Sequence, residues 1–486
     1  MKIYRKEGDV MQLISYPDED VNKGDYLLVE DQRSHRGLII QVVDIQFANI
    51  PGILEDILRD VMTEESIRGN DIDPLDISSQ VAVLKDTKLL VCKIRGALEN
   101  GRPTHNVAWL PSRINSAISK FPIETIASGT DLSRPILLGR IKQNSSFMID
   151  AKMLDGRLNI VTGKKGTGKS HLSKLLAMSF LDHGAPCLIL DVNGEYTNLT
   201  RRASGENSPY EGKITVLTPR VSLRFTLAEI GLGTMLDILL HALDLPGTSA
   251  RVFARIWRQL EQKSDLTLKS LGEAIAGSDC HEGVRDALQS RYNTIVDTGI
   301  FTDDTSSTNS HRLIERLAAG GAVVVNMKNQ PFTIRRIVVE LLLSKITELL
   351  SHGRLKAVFL FAEEAHLYLR ETYWDDIVTR MRHLGIFTTF ITNQPDTIQE
   401  NIYRQADNIF LFNFTNERDL DVVAKAAKID GESVKLLVKD LPAGHCLAIG
   451  DVVHDFPIVV NIRPLDVEAL GGTRYFFEEN RITCSK

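Results

Sequence analysis

Between Ile3 and about Pro111 the chain runs through short apolar or alternating stretches, "DYLLVED", "RGLIIQVVDIQFA" and "VAVLKDTKLLVCKIRGAL", broken by Gly, Asp and Asn. Strands of that length and spacing predict a small β-barrel or sandwich. One more helical stretch, "PGILEDILRDVMTEES", interrupts them, and the polar "SGTDLSRP" reads as a linker. Beyond it the rhythm changes. Near-continuous apolar runs ("LNIVT", "PCLILD", "KITVL", "GGAVVVNM", "LKAVFLFAEE", "IFTTFITNQ", "NIFLFNF", "HCLAIG", "PIVVNI") alternate with longer helical patterns. Strands without a polar face, bounded by helices, predict a buried, mostly parallel α/β sheet. Between Leu227 and Leu317 the strands vanish, and "TMLDILLHALDL", "ARVFARIWRQLEQ" and "VRDALQSRYNTIV" carry helical spacing, which predicts an all-helical insertion.

The chain's 486 residues exceed the usual size of one hydrophobic core. The change of rhythm divides it into 1–125 and 126–464, with the insertion at about 227–317. At 43% hydrophobic and 25% charged residues the composition is that of an ordinary globular protein. Its longest apolar runs, such as "AVFLFA" and "IVVELLL", fall far short of the roughly 20 residues that cross a bilayer, so no membrane association is expected. The N-terminus "MKIYRKEGDV" lacks the apolar core of a signal peptide. Five cysteines (Cys92, Cys187, Cys280, Cys446, Cys484) form no CxxC pair, which points to a reducing, cytoplasmic setting. Net charge is −6, and residues 1–124 account for −5 of it, with 15 Lys and Arg against 20 Asp and Glu. A nucleic-acid partner would therefore need a localised basic lining, which a ring of identical subunits could supply.

The candidate chemistry starts at "GKKGTGKS", Gly163 to Ser170, which matches the phosphate-binding pattern GxxxxGKS. Gly163, Gly166 and Gly168 let backbone N–H groups turn toward phosphate oxygens. Lys169 reaches the β and γ phosphates, and Ser170 offers its hydroxyl to Mg²⁺. Thr167 and His171 flank these two residues. The strand-like "LNIVT" before the loop and the helical "SHLSKLLAMSFL" after it supply the expected setting, with a positive helix end at the phosphates. Lys164 and Lys165 add a positive charge each that the motif does not require.

Phosphoryl transfer also needs a carboxylate for the metal's shell and one to polarise water. "KAVFLFAEEAH" offers both at a strand end, Glu363 on the metal and Glu364 as base. "FTTFITNQP" ends another strand with Thr392, Asn393 and Gln394, and an amide at this tip is placed to sense the γ phosphate or orient water. Asp191 and Glu195 of "DVNGEY" are candidate supporting carboxylates. Arg380 and Arg382 of "TRMRHLG" are candidate fingers for a neighbour's γ phosphate, with Arg157 and Arg404 weaker candidates. His366 reads as support for the strand end. Arg335 and Arg336 of "KNQPFTIRRI" are candidates for a DNA channel, and the apolar Met235, Leu239, Leu240, Leu243 and Phe253 read as core.

Taken together, the loop, "EEAH", the "RxxG" from Arg382 to Gly385 before a strand ending "TNQP", and "NGEY" after the second strand resemble the HerA helicase/translocase family, within the FtsK–HerA division of RecA-like P-loop ATPases. That resemblance spans about Leu132 to Pro464, and the N-terminal β-rich part is similar to the family's small barrel. It implies a RecA-like P-loop NTPase core and a homo-hexamer that hydrolyses ATP with Mg²⁺ at subunit interfaces. It also implies double-stranded DNA threading the pore, and a nuclease partner, NurA-like in end resection or an effector in anti-phage defence. By position, Lys169 and Ser170 carry the phosphate and Mg²⁺ contacts, Glu363 and Glu364 the acidic pair, Gln394 the sensor, Arg382 the trans arginine and Arg157 the cis arginine. Residues 465–486 correspond to a C-terminal brace. This sequence has Glu363 where Asp is usual, and Lys164-Lys165 where small or hydroxyl residues are usual. Two other readings share the motor chemistry: a secretion or conjugation ATPase, and a scaffold that assembles on ATP and turns over slowly.

Overall fold

The computed structural model describes residues 1–34, 36–48, 85–99, 102–104, 107, 109–123, 132–141, 145–305, 310–367, 381–414, 416–426 and 429–468. The helical reading of 51–66, Arg380, and the brace beyond residue 468 lie outside these residues.

Seven strands near the N-terminus form one antiparallel sheet: β1 (Lys2–Glu7), β2 (Val10–Ser15), β3 (Tyr26–Asp31), β4 (Arg36–Phe47), β5 (Lys88–Glu99), β6 (Arg102–Thr104) and β7 (Ser116–Lys120). The order is β1-β2-β5-β4-β3-β7, with β6 on β5. Register shifts at Ile39/Ile40 and Val42/Asp44 break the long β4–β5 ladder, and such bulges bend a sheet. Its inner face packs Met11, Leu13, Leu27, Val29, Leu38, Ile40, Leu90 and Cys92. Among the described residues β1 and β7 stay as edges, so the predicted barrel is half a barrel.

From Pro135 onward the strands join an eleven-stranded sheet: β8 (Pro135–Ile141), β9 (Ser145–Asp150), β10 (Asn159–Thr162), β11 (Cys187–Asp191), β12 (Ile214–Leu217), β13 (Ala322–Asn326), β14 (Val358–Ala362), β15 (Ile386–Thr392), β16 (Asn408–Leu411), β17 (His445–Gly450) and β18 (Ile458–Ile462). The order is β12-β13-β11-β14-β15-β10-β16-β17-β18-β8-β9. From β12 through β16 in that order every pairing is parallel. The remaining four strands extend the sheet antiparallel. The apolar runs that predicted a buried sheet do fill two layers: Leu188 and Leu190 of β11 enter one, Cys187 and Ile189 the other. That alternation is the strand period of two, here with both faces covered.

Helix α1 (Lys169–Asp182) covers one face. Between β12 and β13 lie α2 (Leu227–Asp237), α3 (Gly247–Gln262), α4 (Leu268–Ala276), α5 (Glu282–Thr298) and α6 (Ser310–Ala318), the predicted helical insertion. Met235, Leu239 and Phe253 are buried in the same cluster as Leu188, with Leu240 and Leu243 packed against it. Helix α7 (Phe332–Ser351) follows β13. Among the described residues three further helices follow, α8 (Glu400–Arg404), α9 (Glu417–Ala426) and α10 (Gly431–Lys439).

The half-barrel docks through polar contacts. Tyr26 Oη and Gln41 Nε2 both donate to the Pro457 carbonyl, at 2.9 and 2.8 Å. Arg95 Nη1 and Lys93 Nζ lie 3.0 and 3.5 Å from the Asp430 carboxylate. Asp430 also caps α10 by accepting from the Ser433 N–H, an arrangement that favours a carboxylate at a helix start.

Candidate active site

Parallel register decides what meets what. Thr162 at the end of β10 pairs with Thr392 at the end of β15, and Leu190 of β11 pairs with Ala362 of β14. Strand ends in such a sheet open onto one edge, where ligands bind. Gly163, Asp191, Glu363 and Gln394 each follow or close one of these four strands, so sequence positions 200 residues apart share that edge.

The loop is held from below. Lys164 N–H donates to Asn413 O, and Gly444 N–H donates to Thr167 O, both at 2.9 Å. A Cβ on Gly163 would lie 2.5 Å from Phe412 Cβ, whereas one on Gly166, at φ +81°, would meet nothing within 4 Å. The loop therefore presses on β16 on one side and leaves room for a ligand at Gly166. Gly163→Ala should lower the melting temperature by several degrees, an overpacking cost of about 1–3 kcal/mol. Gly166→Ala should lose phosphate affinity with the smaller change in melting. Equal melting shifts in the two variants would contradict this division.

Lys169 Nζ donates to the Lys164 carbonyl at 2.9 Å, and Thr167 Oγ1 donates to the same oxygen at 2.8 Å. The backbone of Lys164 thus has a place in the cradle, while the side chains of Lys164 and Lys165 are exposed. Burial holds Lys169 below the ordinary lysine range, while Glu364, Glu363 and Glu195 pull the other way. His171 is engaged elsewhere: its Nε2 lies 2.8 Å from the Arg463 carbonyl. The ring is thereby turned to the segment after β18, which leaves the backbone of His171 as its part in the loop.

Glu363 is buried, and Tyr196 Oη donates to it. Sequence reading placed Tyr196 in "NGEY" without this role. Asp191 builds that turn, accepting from the N–H groups of Gly194, Glu195 and Tyr196 at 2.8, 3.0 and 3.0 Å. Its carboxylate thus shapes the loop, and Glu195 pairs with Lys174 at 3.5 Å. Burial above all, aided by Glu195, Glu364 and Asp191 and opposed by the Tyr196 hydrogen bond, pushes Glu363 up to about 7. A carboxyl group raised on folding stabilises fully below its unfolded value and loses that contribution as pH rises through the folded one. Without nucleotide and in chelator, Glu363→Gln should gain melting temperature over the native protein as pH rises from 5 to 8.5. A difference that stays constant across this range would contradict the burial argument.

Glu364 sits at φ +49°, a left-handed conformation costly for a side chain with a Cβ. Asn193 Nδ2 donates to its Oε1 at 3.5 Å. Its Oε2 is buried with no hydrogen-bond partner, 3.4 Å from His366 Nδ1. The same His366 nitrogen lies 3.2 Å from Thr392 Oγ1, which accepts from the Gln394 N–H. His366 thus supports the strand ends, as its sequence setting predicted. Gln394 itself is exposed, and beside it Asn393 Oδ1 is buried without a partner. Asn393 and Gln394, the two amides that the sequence places at this strand tip, thus both stand as candidate sensors.

The arginines lie elsewhere. Arg157 precedes β10 and Arg382 precedes β15, so both stand at the opposite edge from the loop. The six residues from Arg157 to Gly163 span roughly 20 Å when extended. Arg157 thus sits beside Arg382, away from its own subunit's loop. Both meet Asp407. Arg404 pairs with Glu400 one helical turn away. Arg336 bonds to the His241 carbonyl and Asp244 within its own chain, which favours a structural role over a DNA channel.

The donors at the loop edge are oxygens, a hydroxyl and carboxylates, which suit a hard cation. Among the described residues no group of three or more His, Cys, Asp or Glu is arranged to hold a metal on its own.

Residues 136–346 match the family model described as the helicase HerA central domain. Over that segment the chain is similar to the HerA family, and the segment carries the loop, the "NGEY" turn and the helical insertion. A DNA double-strand break repair helicase HerA from Sulfolobus acidocaldarius is 22% identical over 492 aligned positions, covering 95% of this chain and 92% of that protein. Among solved structures, the bacterial conjugative coupling protein TrwBdeltaN70 superposes with a TM-score of 0.51 at 12% identity, covering 70% of this chain and 90% of that one. TrwB in complex with a non-hydrolysable ATP analogue gives 0.51 at 12% identity, covering 72% and 94%. These likenesses show the fold, a RecA-like P-loop NTPase core joined here to an N-terminal half-barrel. Among the described residues no helix is long and apolar enough to cross a membrane.

Proposed function

We propose that this chain is an ATP-driven motor on double-stranded DNA, a translocase or helicase working as a homo-hexameric ring whose sites are completed by the next subunit. The observation that carries this reading is the separation within one subunit of the loop and carboxylates from the Arg157–Arg382 pair, on opposite edges of one sheet. A guanidinium that stabilises charge on the γ phosphate must then come from a second copy. Similarity to a protein named as a DNA double-strand break repair helicase supports DNA as the track, and a nuclease partner is part of the same proposal.

In this reading the loop backbone and Lys169 bind and orient ATP. Ser170 and Glu363 would hold Mg²⁺, whose charge offsets that of the phosphates. Glu364 takes the proton of the attacking water, with Asn193 and His366 fixing its carboxylate, and Asn393 and Gln394 face the γ phosphate. ATPase rate per subunit should rise steeply with protein concentration and further with duplex DNA, and Lys169→Ala should abolish it. A rate per subunit that is flat from the nanomolar to the micromolar range would overturn the shared site.

A further inference from the structure

We propose that Asp407 is a positioning residue that holds Arg157 and Arg382 as a paired finger for the adjacent subunit. This deepens the shared-site reading and rests on it. Asp407 stands just before β16, where its N–H donates to Leu158 O and its Oδ2 accepts from Leu158 N–H, both at 2.9 Å. Its carboxylate is therefore fixed by backbone to the start of β10. Arg382 Nη2 donates to Oδ2, and Arg157 Nη1 lies 3.8 Å from Oδ1. Each arginine has a second hold: Arg382 Nε donates to Gly156 O at 2.6 Å, and Arg157 Nη2 lies 3.0 Å from Asp451 Oδ2.

Two features separate this cluster from an ordinary surface pair. Asp407 is 14% exposed while the arginines are 42% and 41% exposed, so the anchor is sunk and the cations stand above it. Each guanidinium has five N–H donors and spends only part of them here, leaving the rest for an anion arriving from outside. An unheld arginine would lose its rotamer freedom on meeting a phosphate. One already clamped loses less, and its placement survives to the transition state. Asp407 also holds the Leu158 N–H for the fold, so its effect on turnover has to be read apart from its effect on melting.

The test is steady-state ATPase of the full chain with duplex DNA. Asp407→Asn keeps an acceptor for the Leu158 N–H and removes the charge. It should lower kcat by about tenfold to a hundredfold with KM for ATP unchanged. Asp407→Glu should recover part of the loss. In a background with both Arg157→Ala and Arg382→Ala, Asp407→Asn should cost nothing more, because both groups it positions are gone. Native kcat in Asp407→Asn, or a further loss when it is added to the two arginine substitutions, overturns the proposal. Native kcat in Arg382→Ala overturns the shared-site reading, and this proposal with it. Should Asp407→Asn melt well below the native protein, Asp407→Glu with and without the two arginine substitutions gives the same comparison.

Discussion

Replacing Glu364 with glutamine is expected to lower ATPase turnover by about a hundredfold to ten-thousandfold, the range contributed by a general base, while ATP still binds. The amide matches the carboxylate in size and keeps an oxygen for Asn193, so the loss isolates proton transfer. The side chain's setting argues for that role. A left-handed backbone turns Glu364 out of the strand line, and its Oε2 is buried without a hydrogen-bond partner. It also heads the carboxylates that raise Lys169 against the effect of burial. Strain kept at a strand end, with a carboxylate oxygen left unbonded in a buried place, is what a site waiting for water would show. Turnover within tenfold of native, with ATP affinity unchanged, would remove Glu364 from the base position.

Arg382→Ala is expected to cost about a thousandfold to a hundred-thousandfold in turnover, the usual contribution of an arginine finger, with ATP affinity preserved. The geometry also predicts complementation. A subunit with Lys169→Ala has a dead loop and an intact Arg382, whereas one with Arg382→Ala has the reverse. Mixed in one ring, each junction in which an intact loop faces an intact arginine forms a whole site. Activity should therefore return on mixing two preparations that are each inactive. Failure of mixing to restore any activity in co-assembled rings would argue that Arg382 serves its own subunit.

The parallel core was legible because each of its strands is a run of apolar residues buried on both faces, a pattern little else produces. "CLILD" and "VFLFA" needed no partner to be read as strands. The β8–β9 hairpin was not read as strands. It lies at the sheet's open end, where Leu137 and Met148 remain exposed and the alternation is short. How far the N-terminal strands close into a barrel depends on pairings between distant segments, which periodicity does not encode. At the site, the phosphate loop was legible because its parts are contiguous. Tyr196 meeting Glu363 joins positions 167 residues apart, and Asp407 meeting Leu158 joins positions 249 apart. Only the register of parallel strands creates those neighbours. That register also separates Arg157 from the loop only six residues away in sequence.

Helix α10 touches both ends of the molecule's business. Asn413, whose carbonyl holds Lys164, gives its side-chain amide to the carbonyls of Lys439 and Leu441 at the end of that helix, at 3.0 and 2.8 Å. Its start is Asp430, gripped by Arg95 and Lys93 of the half-barrel. Nine residues of helix span roughly 14 Å, so the phosphate cradle and the N-terminal sheet are joined by one stiff rod. Deleting the first 125 residues is consequently a poor way to study the ATPase core alone. The cut would strip the cations from Asp430, uncover the Pro457 carbonyl, and disturb the floor of the nucleotide loop from behind. A cleaner dissection would change Arg95 and Asp430 together, loosening the joint while leaving both bodies whole.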